Sequence, residues 1–398
     1  MKRFLILIWI AVLSFLTAGC WDRIEITDLA ITLATGIDTL PNGKVVTTVQ
    51  LVLPMSVGVQ ATEGQPNKAQ PFWVESASGD DIRETIGNLQ EKLSRKLYVA
   101  QRRILIVGEE QARKGLQPVL DHYSRDPRSR IRTYVLVAKG GAASEVLKAS
   151  YQLEKEPAEA LRKMEGADTG KTTDLREIYD ALLTEQAFVI PTIQMVSQPN
   201  DRNKTYRLAG SAIFRGDKLV GFLDDNKTRG LLWLTRKSKN AIVTARVPNL
   251  NGYISSTVLR STTQLQAQKD KDGKIAVHVN IRAINDILEN TTALNLTRPE
   301  NIDSVEHLLE DKLRERIQAT LKDVQTLHKA DVIGFGKLID RTYPQQWRSM
   351  KNTWEQEFPN LKIIVNTKID IQGIGVTGPS LTLQEKRPDY ENPAPAQP

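Results

Sequence analysis

The sequence predicts a mixed α/β to α+β fold of two to three domains, with mixed sheets, packed helices and a long helix near the C-terminal part. Strand-length apolar runs alternate with helix-like stretches in the first half of the chain, whereas consecutive strand-like runs dominate the second half. One long apolar stripe with helical spacing follows those runs. The 398 residues are enough for several domains of about 100 to 200 residues each.

The first predicted element is a β-hairpin. Ala30–Asp38 and Val45–Leu53 are rich in β-branched residues, and Pro41-Asn42-Gly43 between them is a turn signal. Asp80–Leu97 then predicts a helix that packs on the sheet, because its apolar residues recur at steps of three and four. These residues are Ile82, Ile86, Leu89, Leu93 and Leu97.

A strand-helix-strand order follows. Arg103–Val107 and Thr133–Val137 are apolar runs of strand length, and the helical stretch Glu110–Tyr123 lies between them. Glu154–Thr173 is charged and contains one proline and two glycines, which favours a helix followed by a mobile linker.

The next stretch predicts a helix, a strand and a boundary. Thr173–Leu183 is helical, with Asp174 as its cap, and Phe188–Val196 is a strand candidate. Ser197–Lys204 is polar and rich in turn-forming residues, so we expect a domain boundary there.

The third region begins with another hairpin. Leu208–Phe214 and Leu219–Leu223 are separated by a four-residue gap that contains a glycine. Further strands are predicted over Ala241–Val247, Tyr253–Gln268 and Lys274–Ala283, with Asp270–Gly273 as a tight turn.

A long helix is predicted after these strands, with Asp303-Ser304-Val305-Glu306 as its capping box. One apolar stripe consists of Val305, Leu308, Leu309, Leu313, Ile317, Leu321 and Val324. A second helix carries Trp347 and Trp354, and Lys362–Ile371 is the final strand. The predicted divisions are a leader at 1–19, an N-terminal α/β region at 20–200 that can be split near 150–170, a C-terminal α+β domain at 205–375 and a tail at 379–398. The tail holds five prolines in 20 residues and should be disordered.

The N-terminus predicts an exported lipoprotein. Lys2 and Arg3 precede an apolar run too short to be a spanning helix, and small residues lead into Cys20. The segment Leu16-Thr17-Ala18-Gly19-Cys20 resembles a bacterial lipobox, in which the cysteine thiol takes a diacylglycerol. Because Cys20 is the only cysteine, an internal disulfide and a thiolate metal cluster are both excluded.

Charge and motifs argue against nucleic-acid binding and against an enzyme. The net charge of +7 comes from interspersed residues, without the clustered basic face of a nucleic-acid protein. Gly373–Gly378 spells a dinucleotide motif but precedes a proline instead of a helix, and Gly166–Thr172 is one residue short of a phosphate loop. The four histidines are scattered, and His307 with Glu310 is expected to be an exposed polar pair on a helix. We therefore predict no catalytic residue, no metal and no dissociable cofactor.

Two interpretations are open for the bulky face formed by Trp347, Met350, Trp354 and Phe358. Such a face usually belongs to the core, but tryptophan is also enriched at the centres of protein interfaces. The residues before it, Asp331–Gly336, contain two glycines that let the chain turn between helices.

An ordered set of segments resembles the Ger(x)C lipoproteins, the C subunits of nutrient germinant receptors in endospore-forming bacteria. These segments are Gly19-Cys20-Trp21-Asp22 with Glu25, Gly210–Phe214 with Lys218 and Gly221, Asp331–Gly336, and the helix with Trp347 and Trp354 that ends at Phe358. Their order covers the chain from Cys20 to about Gly375.

The resemblance implies a three-domain mixed α/β protein on the outer surface of the cell membrane, here the inner spore membrane. It implies a covalent diacylglycerol and N-acyl lipid on Cys20, and A and B receptor subunits as partners in germination. A different class, a lipid-anchored solute-binding protein of a transporter, stays open, although the two halves lack the repeated βαβ units expected for it.

Overall fold

The computed structural model describes residues 24–53, 72–149, 151, 153–166, 170–198, 201–236, 238 and 240–375, together with Trp9. These residues form a nine-stranded sheet and a four-stranded sheet with packed helices in two domains, which confirms the predicted mixed fold class. Cys20, the rest of the predicted leader and the proline-rich tail lie outside the described residues, as do residues 167–169 of the expected linker.

The nine-stranded sheet contains parallel and antiparallel pairs. Its strands are β1 (Leu29–Thr39), β2 (Val45–Val52), β3 (Phe72–Gly79), β4 (Lys96–Tyr98), β5 (Ile104–Gly108), β6 (Tyr134–Ala138), β7 (Phe188–Gln198), β8 (Asp201–Arg215) and β9 (Lys218–Leu223). They follow the order β3-β2-β1-β5-β6-β7-β8-β9, and β4 pairs with β1. The strands from β1 through β5 and β6 to β7 are parallel, and the pairs at both ends of the sheet are antiparallel. Both predicted hairpins, β1–β2 and β8–β9, are therefore confirmed.

Six helices accompany this sheet in the described part of the chain. They are α1 (Ile82–Lys92), α2 (Glu109–Lys114), α3 (Gln117–Arg125), α4 (Ala143–Lys148), α5 (Pro157–Gly166) and α6 (Leu175–Leu183). Asp174 caps α6 by accepting a hydrogen bond from the Glu177 N–H at 2.9 Å, as its sequence position predicts.

Two helix predictions were too long. The helix predicted over Asp80–Leu97 ends at Lys92, because Leu97 joins β4 and its N–H donates to the Gln90 side chain at 2.8 Å. The helix predicted over Glu110–Tyr123 is divided into α2 and α3 at Gly115, whose φ of 136° is incompatible with a continuous helix.

Most of the polar stretch Ser197–Lys204 belongs to two paired strands of one sheet, since β7 ends at Gln198 and β8 begins at Asp201. The two strands pair antiparallel, with Val196 opposite Thr205 and Ser197 opposite Lys204, so β8 and β9 belong to the first sheet and not to the C-terminal one. Hairpin turns and interdomain linkers share the same polar, turn-forming composition, and only the strand pairing distinguishes them.

The four-stranded sheet and its helices complete the fold. Its strands, in spatial order, are β10 (Ile242–Arg246), β11 (Tyr253–Lys269), β12 (Ile275–Asn290) and β13 (Lys362–Gly373). The helices are α7 (Asp225–Leu234), α8 (Pro299–Lys322), α9 (Phe335–Thr342), α10 (Pro344–Met350) and α11 (Trp354–Glu357). Helix α8 runs into a π-helical turn at Asp323–Leu327.

The long helix α8 is confirmed, but it begins earlier than the predicted capping box at Asp303. Pro299 occupies its first turn, where the fixed φ of proline suits a helix start. Glu306, predicted to close the box, instead accepts a hydrogen bond from the Ile371 N–H at 2.7 Å.

One hydrophobic core joins the two sheets. The stripe of α8 is buried against the four-stranded sheet, with Leu309, Leu313 and Ile317 fully enclosed. Val189, Ile213 and Leu223 from the nine-stranded sheet belong to the same cluster of buried residues. The two sheets are therefore parts of one packed body along this junction.

Candidate partner-contact site

The candidate site lies where α9, α10 and α11 face the nine-stranded sheet, near the residues between α6 and β7 and the end of β8. The sequence predicts one helix carrying both tryptophans, but Trp347 lies in α10 and Trp354 begins α11. A short 3-10 turn at Lys351–Thr353 separates the two helices. This break turns both indoles toward the same glycine, Gly336.

Asp331 fixes the start of α9. Its carboxylate accepts hydrogen bonds from the N–H groups of Gly334, Phe335 and Gly336, at 2.9, 3.0 and 2.7 Å. The indole N–H of Trp354 donates a fourth at 3.2 Å. Burial raises the pKa of Asp331 above its ordinary value, while these hydrogen bonds act in the opposite direction. The side chain therefore ties the helix start to the aromatic pair.

The two tryptophans pack closely over Gly336. Their ring centroids are 5.1 Å apart at an interplanar angle of 72°, an edge-to-face arrangement. A Cβ atom at Gly336 would lie 2.6 Å from Cη2 of Trp347, so only glycine fits there without a shift. Beneath them, Trp354 contacts the fully buried Phe358 with centroids 5.8 Å apart.

Both indoles are half-buried. Each packs against the core on one side and remains accessible on the other. The core interpretation and the surface interpretation of this face therefore each describe part of the geometry, and a role in partner contact stays a prediction.

An open cleft of about 730 Å³ lies beside the tryptophans. Glu185, Gln186 and Arg215 line its first-sheet side, opposite the α9–α11 region. Two ion pairs connect the sides: Lys351 with Glu185 at 2.9 Å and Arg215 with Glu355 at 3.3 Å. The hydrogen bond from Lys351 lowers the pKa of Glu185. Such exposed pairs orient the two sides and contribute little to stability.

Two glycines named in the resemblance have packing roles that the sequence does not reveal. Gly210 has a φ of 83°, and a Cβ there would overlap the Leu223 carbonyl oxygen. A Cβ at Gly221 would overlap the ring of His328, which follows the π-helical turn after α8. Burial lowers the pKa of His328. Gly210 thus allows close packing beside the end of β9, and Gly221 allows the first sheet to pack against the residues that follow α8.

Sequence reasoning also missed a buried carboxylate. His307 is exposed as expected, and its ring nitrogen lies 3.3 Å from Glu310, but Glu310 itself is buried. Its Oε1 accepts a hydrogen bond from the Ile369 N–H at 3.0 Å and lies 3.2 Å from the Lys368 ammonium group. Only the packing of α8 on β13 brings these groups together.

The remaining sequence motifs have structural positions. Gly373 ends β13, where a Cβ atom would lie 2.6 Å from a carboxylate oxygen of Asp286, and Gly166 ends α5. Within the described residues, no three His, Cys, Asp or Glu side chains are grouped so as to hold a metal ion. None of the helices in that part of the chain is both long and apolar enough to cross a membrane.

Comparison with known proteins identifies the family. The description "Spore germination protein N-terminal domain" matches residues 22–195, and "Spore germination B3/GerAC like, C-terminal" matches residues 209–375. Spore germination protein KC of Bacillus subtilis (strain 168) is 30% identical over 379 residues, covering 90% of this chain and 92% of that protein. Spore germination protein GerQC of Bacillus cereus is 24% identical and covers 95% of this chain and 100% of that protein.

A solved structure shares the fold. The crystal structure of the GerBC protein matches with a TM-score of 0.57 and 17% identity, over 85% of this chain and 96% of the other. Together with the two matched domains, it accounts for both sheets described above. The chain therefore belongs to the Ger(x)C family of spore germination proteins.

Proposed function

We propose that this protein is the lipid-anchored C subunit of a nutrient germinant receptor and acts by contact, without catalysis, on membrane-embedded A and B subunits. In this proposal the chain lies on the outer surface of the inner spore membrane, held by a diacylglycerol and an N-acyl lipid on Cys20. Its relatives are named as spore germination proteins, which supports a role in germination.

One observation carries the contact mechanism. Trp354 donates a hydrogen bond to Asp331 and both indoles pack on Gly336, yet Trp347 and Trp354 each keep an accessible side next to an open cleft. Rigid, partly exposed tryptophans lose little conformational entropy when a partner covers them, and they often dominate binding energy. A lipid anchor would also raise the effective concentration of this surface near a partner in the same membrane.

The test is affinity capture of A and B subunits from spore membranes with tagged full-length protein. We expect Trp347→Ala to lower capture about 30-fold, the equivalent of about 2 kcal/mol for an interface hot spot. Tyr253→Ala is the control, because Tyr253 is 52% exposed on β11 of the four-stranded sheet. Unchanged capture with a large drop in melting temperature would reduce Trp347 to a packing residue.

The anchor is tested in the same preparation. Cys20→Ala should lose metabolic lipid label and membrane retention together. Full retention of the unlabelled variant would contradict the anchor while leaving the capture result standing.

A second candidate function rests on the cleft. Its volume of about 730 Å³ lies within the range of small-molecule sites. Calorimetric binding of free amino acids or sugars, without capture of a membrane protein, would favour a lipid-anchored solute-binding protein.

A further inference from the structure

A second surface lies at the end of the nine-stranded sheet where β1 begins. We call it the basal surface and define it by Trp73, Arg95, Lys96, Arg130, Ile131 and Arg132. Its segments are joined by backbone contacts. Lys96 of β4 pairs with Leu29 of β1, and the N–H of Arg103 donates to the Leu33 carbonyl of β1 at 2.8 Å. The N–H of Tyr134 donates to the Arg103 carbonyl at 3.0 Å, and the N–H of Arg176 donates to the Ile131 carbonyl at 3.0 Å. Trp73 joins them through β2, since it pairs with Leu51, which pairs with Thr32 of β1.

The charge of the basal surface is positive. Its four basic residues are exposed, and none forms an ion pair with another described residue. The neighbouring Arg125 and Arg128, in contrast, each pair with an aspartate at 2.9 Å. Glu25 and Asp28 are exposed where the chain enters, so the cations outnumber the nearby acids.

The basal surface also contains large, exposed apolar side chains. Trp73 is 47% exposed and Ile131 is 57% exposed, and Ile26, just before β1, is 68% exposed. Tryptophan and aliphatic residues interleaved with Lys and Arg are typical of surfaces that sit in the headgroup region of a membrane.

The chain entry lies at the same end. The described chain resumes at Ile24, four residues after Cys20, and a short 3-10 helix at Ile26–Asp28 leads directly into β1. Four extended residues span at most about 14 Å. Given the lipid on Cys20 in the proposed function, the basal surface stays close to the headgroups, where screening by salt is incomplete.

We propose that the basal surface docks on an anionic phospholipid bilayer and so orients the anchored protein. Trp73 and Ile131 enter the headgroup region, while the four cations contact lipid phosphates. This inference rests on the proposed lipid anchor, and it assigns a role to Arg130, Ile131 and Arg132, which otherwise belong to an ordinary solvated turn.

The test uses full-length lipidated protein reconstituted in lipid vesicles that contain no other protein. Because Cys20 is the only cysteine, Ile131→Cys offers a unique free thiol for a fluorophore once Cys20 is acylated. Headgroup-labelled nitroxide lipid should quench this fluorophore at least threefold more strongly in vesicles with 30% phosphatidylglycerol than a fluorophore at Asp272→Cys in the β11–β12 turn. Pure phosphatidylcholine vesicles should reduce the difference, since each basic residue near an anionic surface contributes about fivefold to partitioning.

Charge variants provide the matched control. Replacing Arg95, Lys96, Arg130 and Arg132 with Gln should abolish the extra quenching, whereas replacing the exposed Lys271, Lys274, Arg282 and Lys362 of the four-stranded sheet should not. All eight side chains are exposed, so melting temperatures should be unchanged.

The outcomes separate the two proposals. Flotation with the vesicles but equal quenching at both labels would overturn the docking surface and keep the anchor. Failure to float would overturn both. Quenching that appears only in native spore membranes would overturn lipid docking in favour of a protein partner.

Discussion

At the scale of single residues, several residues of the segments that resemble the Ger(x)C family make close packing contacts. Gly221 accommodates the ring of His328, Gly336 accommodates two indoles, and Asp331 caps a helix start. Each of these residues acts on a group that lies in a different element. A larger side chain should therefore destabilise the fold more at a glycine with less free space around its Cβ position.

Gly336→Ala tests this directly. The added Cβ would lie 2.6 Å from Trp347 and 3.0 Å from the Trp354 nitrogen, so the indoles must shift. We expect a loss of about 1 to 3 kcal/mol in the free energy of unfolding, measured by urea denaturation. Gly87→Ala is the control, because Gly87 lies in α1 with open space around it, and there alanine should stabilise by about 0.5 to 1 kcal/mol. A neutral Gly336→Ala would show that the indole packing is loose.

Glu165 predicts a pH dependence of stability. It is 2% exposed at the end of α5, and neither carboxylate oxygen has a hydrogen-bond partner in the described part of the chain. Burial raises its pKa from 4.5 to about 8, although Lys171 acts against this shift. The folded state thus holds a proton that the unfolded state releases, so the favourable contribution is complete below pH 4.5 and is lost as pH rises toward 8.

Glu165→Gln should remove this dependence. Between pH 5 and 8, wild type should lose up to about 1.4 kcal/mol of stability per pH unit relative to the variant. At pH 3 the Glu165 carboxyl of wild type is protonated in both the folded and the unfolded state, so the stabilities of the two proteins should nearly agree, which serves as the internal control. If urea denaturation gives wild type and Glu165→Gln the same change in the free energy of unfolding with pH across this range, the buried, protonated carboxyl is contradicted.

At the scale of elements, α8 does more than bury an apolar stripe. Strand β13 is at the edge of the four-stranded sheet, and edge N–H groups need partners or water. Glu306 and Glu310 on α8 accept hydrogen bonds from Ile371 and Ile369 of β13. The helix therefore covers both the face and part of the edge of this sheet.

Glu310→Ala should expose the edge. It leaves the Ile369 N–H without its partner, and we expect a loss of about 1 to 3 kcal/mol in stability. Amide hydrogen exchange at Ile369 should also accelerate. Glu315→Ala, on the same helix and 69% exposed in a pair with Lys312, is the matched control and should cost less than about 1 kcal/mol. Equal effects of the two variants would mean that the edge contact is unimportant.

At the scale of the whole molecule, the family descriptions divide near residues 195–209, yet the nine-stranded sheet continues through this region to Leu223. Val189, Ile213 and Leu223 also contribute to the core around α8. Residues that the two family descriptions assign to different domains thus share one sheet and one core in the folded chain.

Division of the chain at residue 200 should leave neither half folded. The first fragment would lose β8, the partner of β7, and the second would carry β8 and β9 without their sheet. We expect each fragment to lack a cooperative thermal transition by circular dichroism, while the undivided chain shows one. A cooperative transition in the fragment that starts at Asp201 would mean that the C-terminal unit is independent of the first sheet.

The sequence by itself determined the local elements, the long helix and the family. Hairpins such as β1–β2 and stripes such as that of α8 arise from periodicity and turn residues within a few positions, so they can be read along the chain. Tertiary structure alone decided that β8 joins the first sheet, that Glu310 is buried and that Gly336 faces Trp347 and Trp354. The physical reason is that these contacts join residues far apart in sequence. From their sequence neighbours alone, such residues resemble ordinary turns, exposed charges or helix faces, and only the packing of distant elements gives them partners.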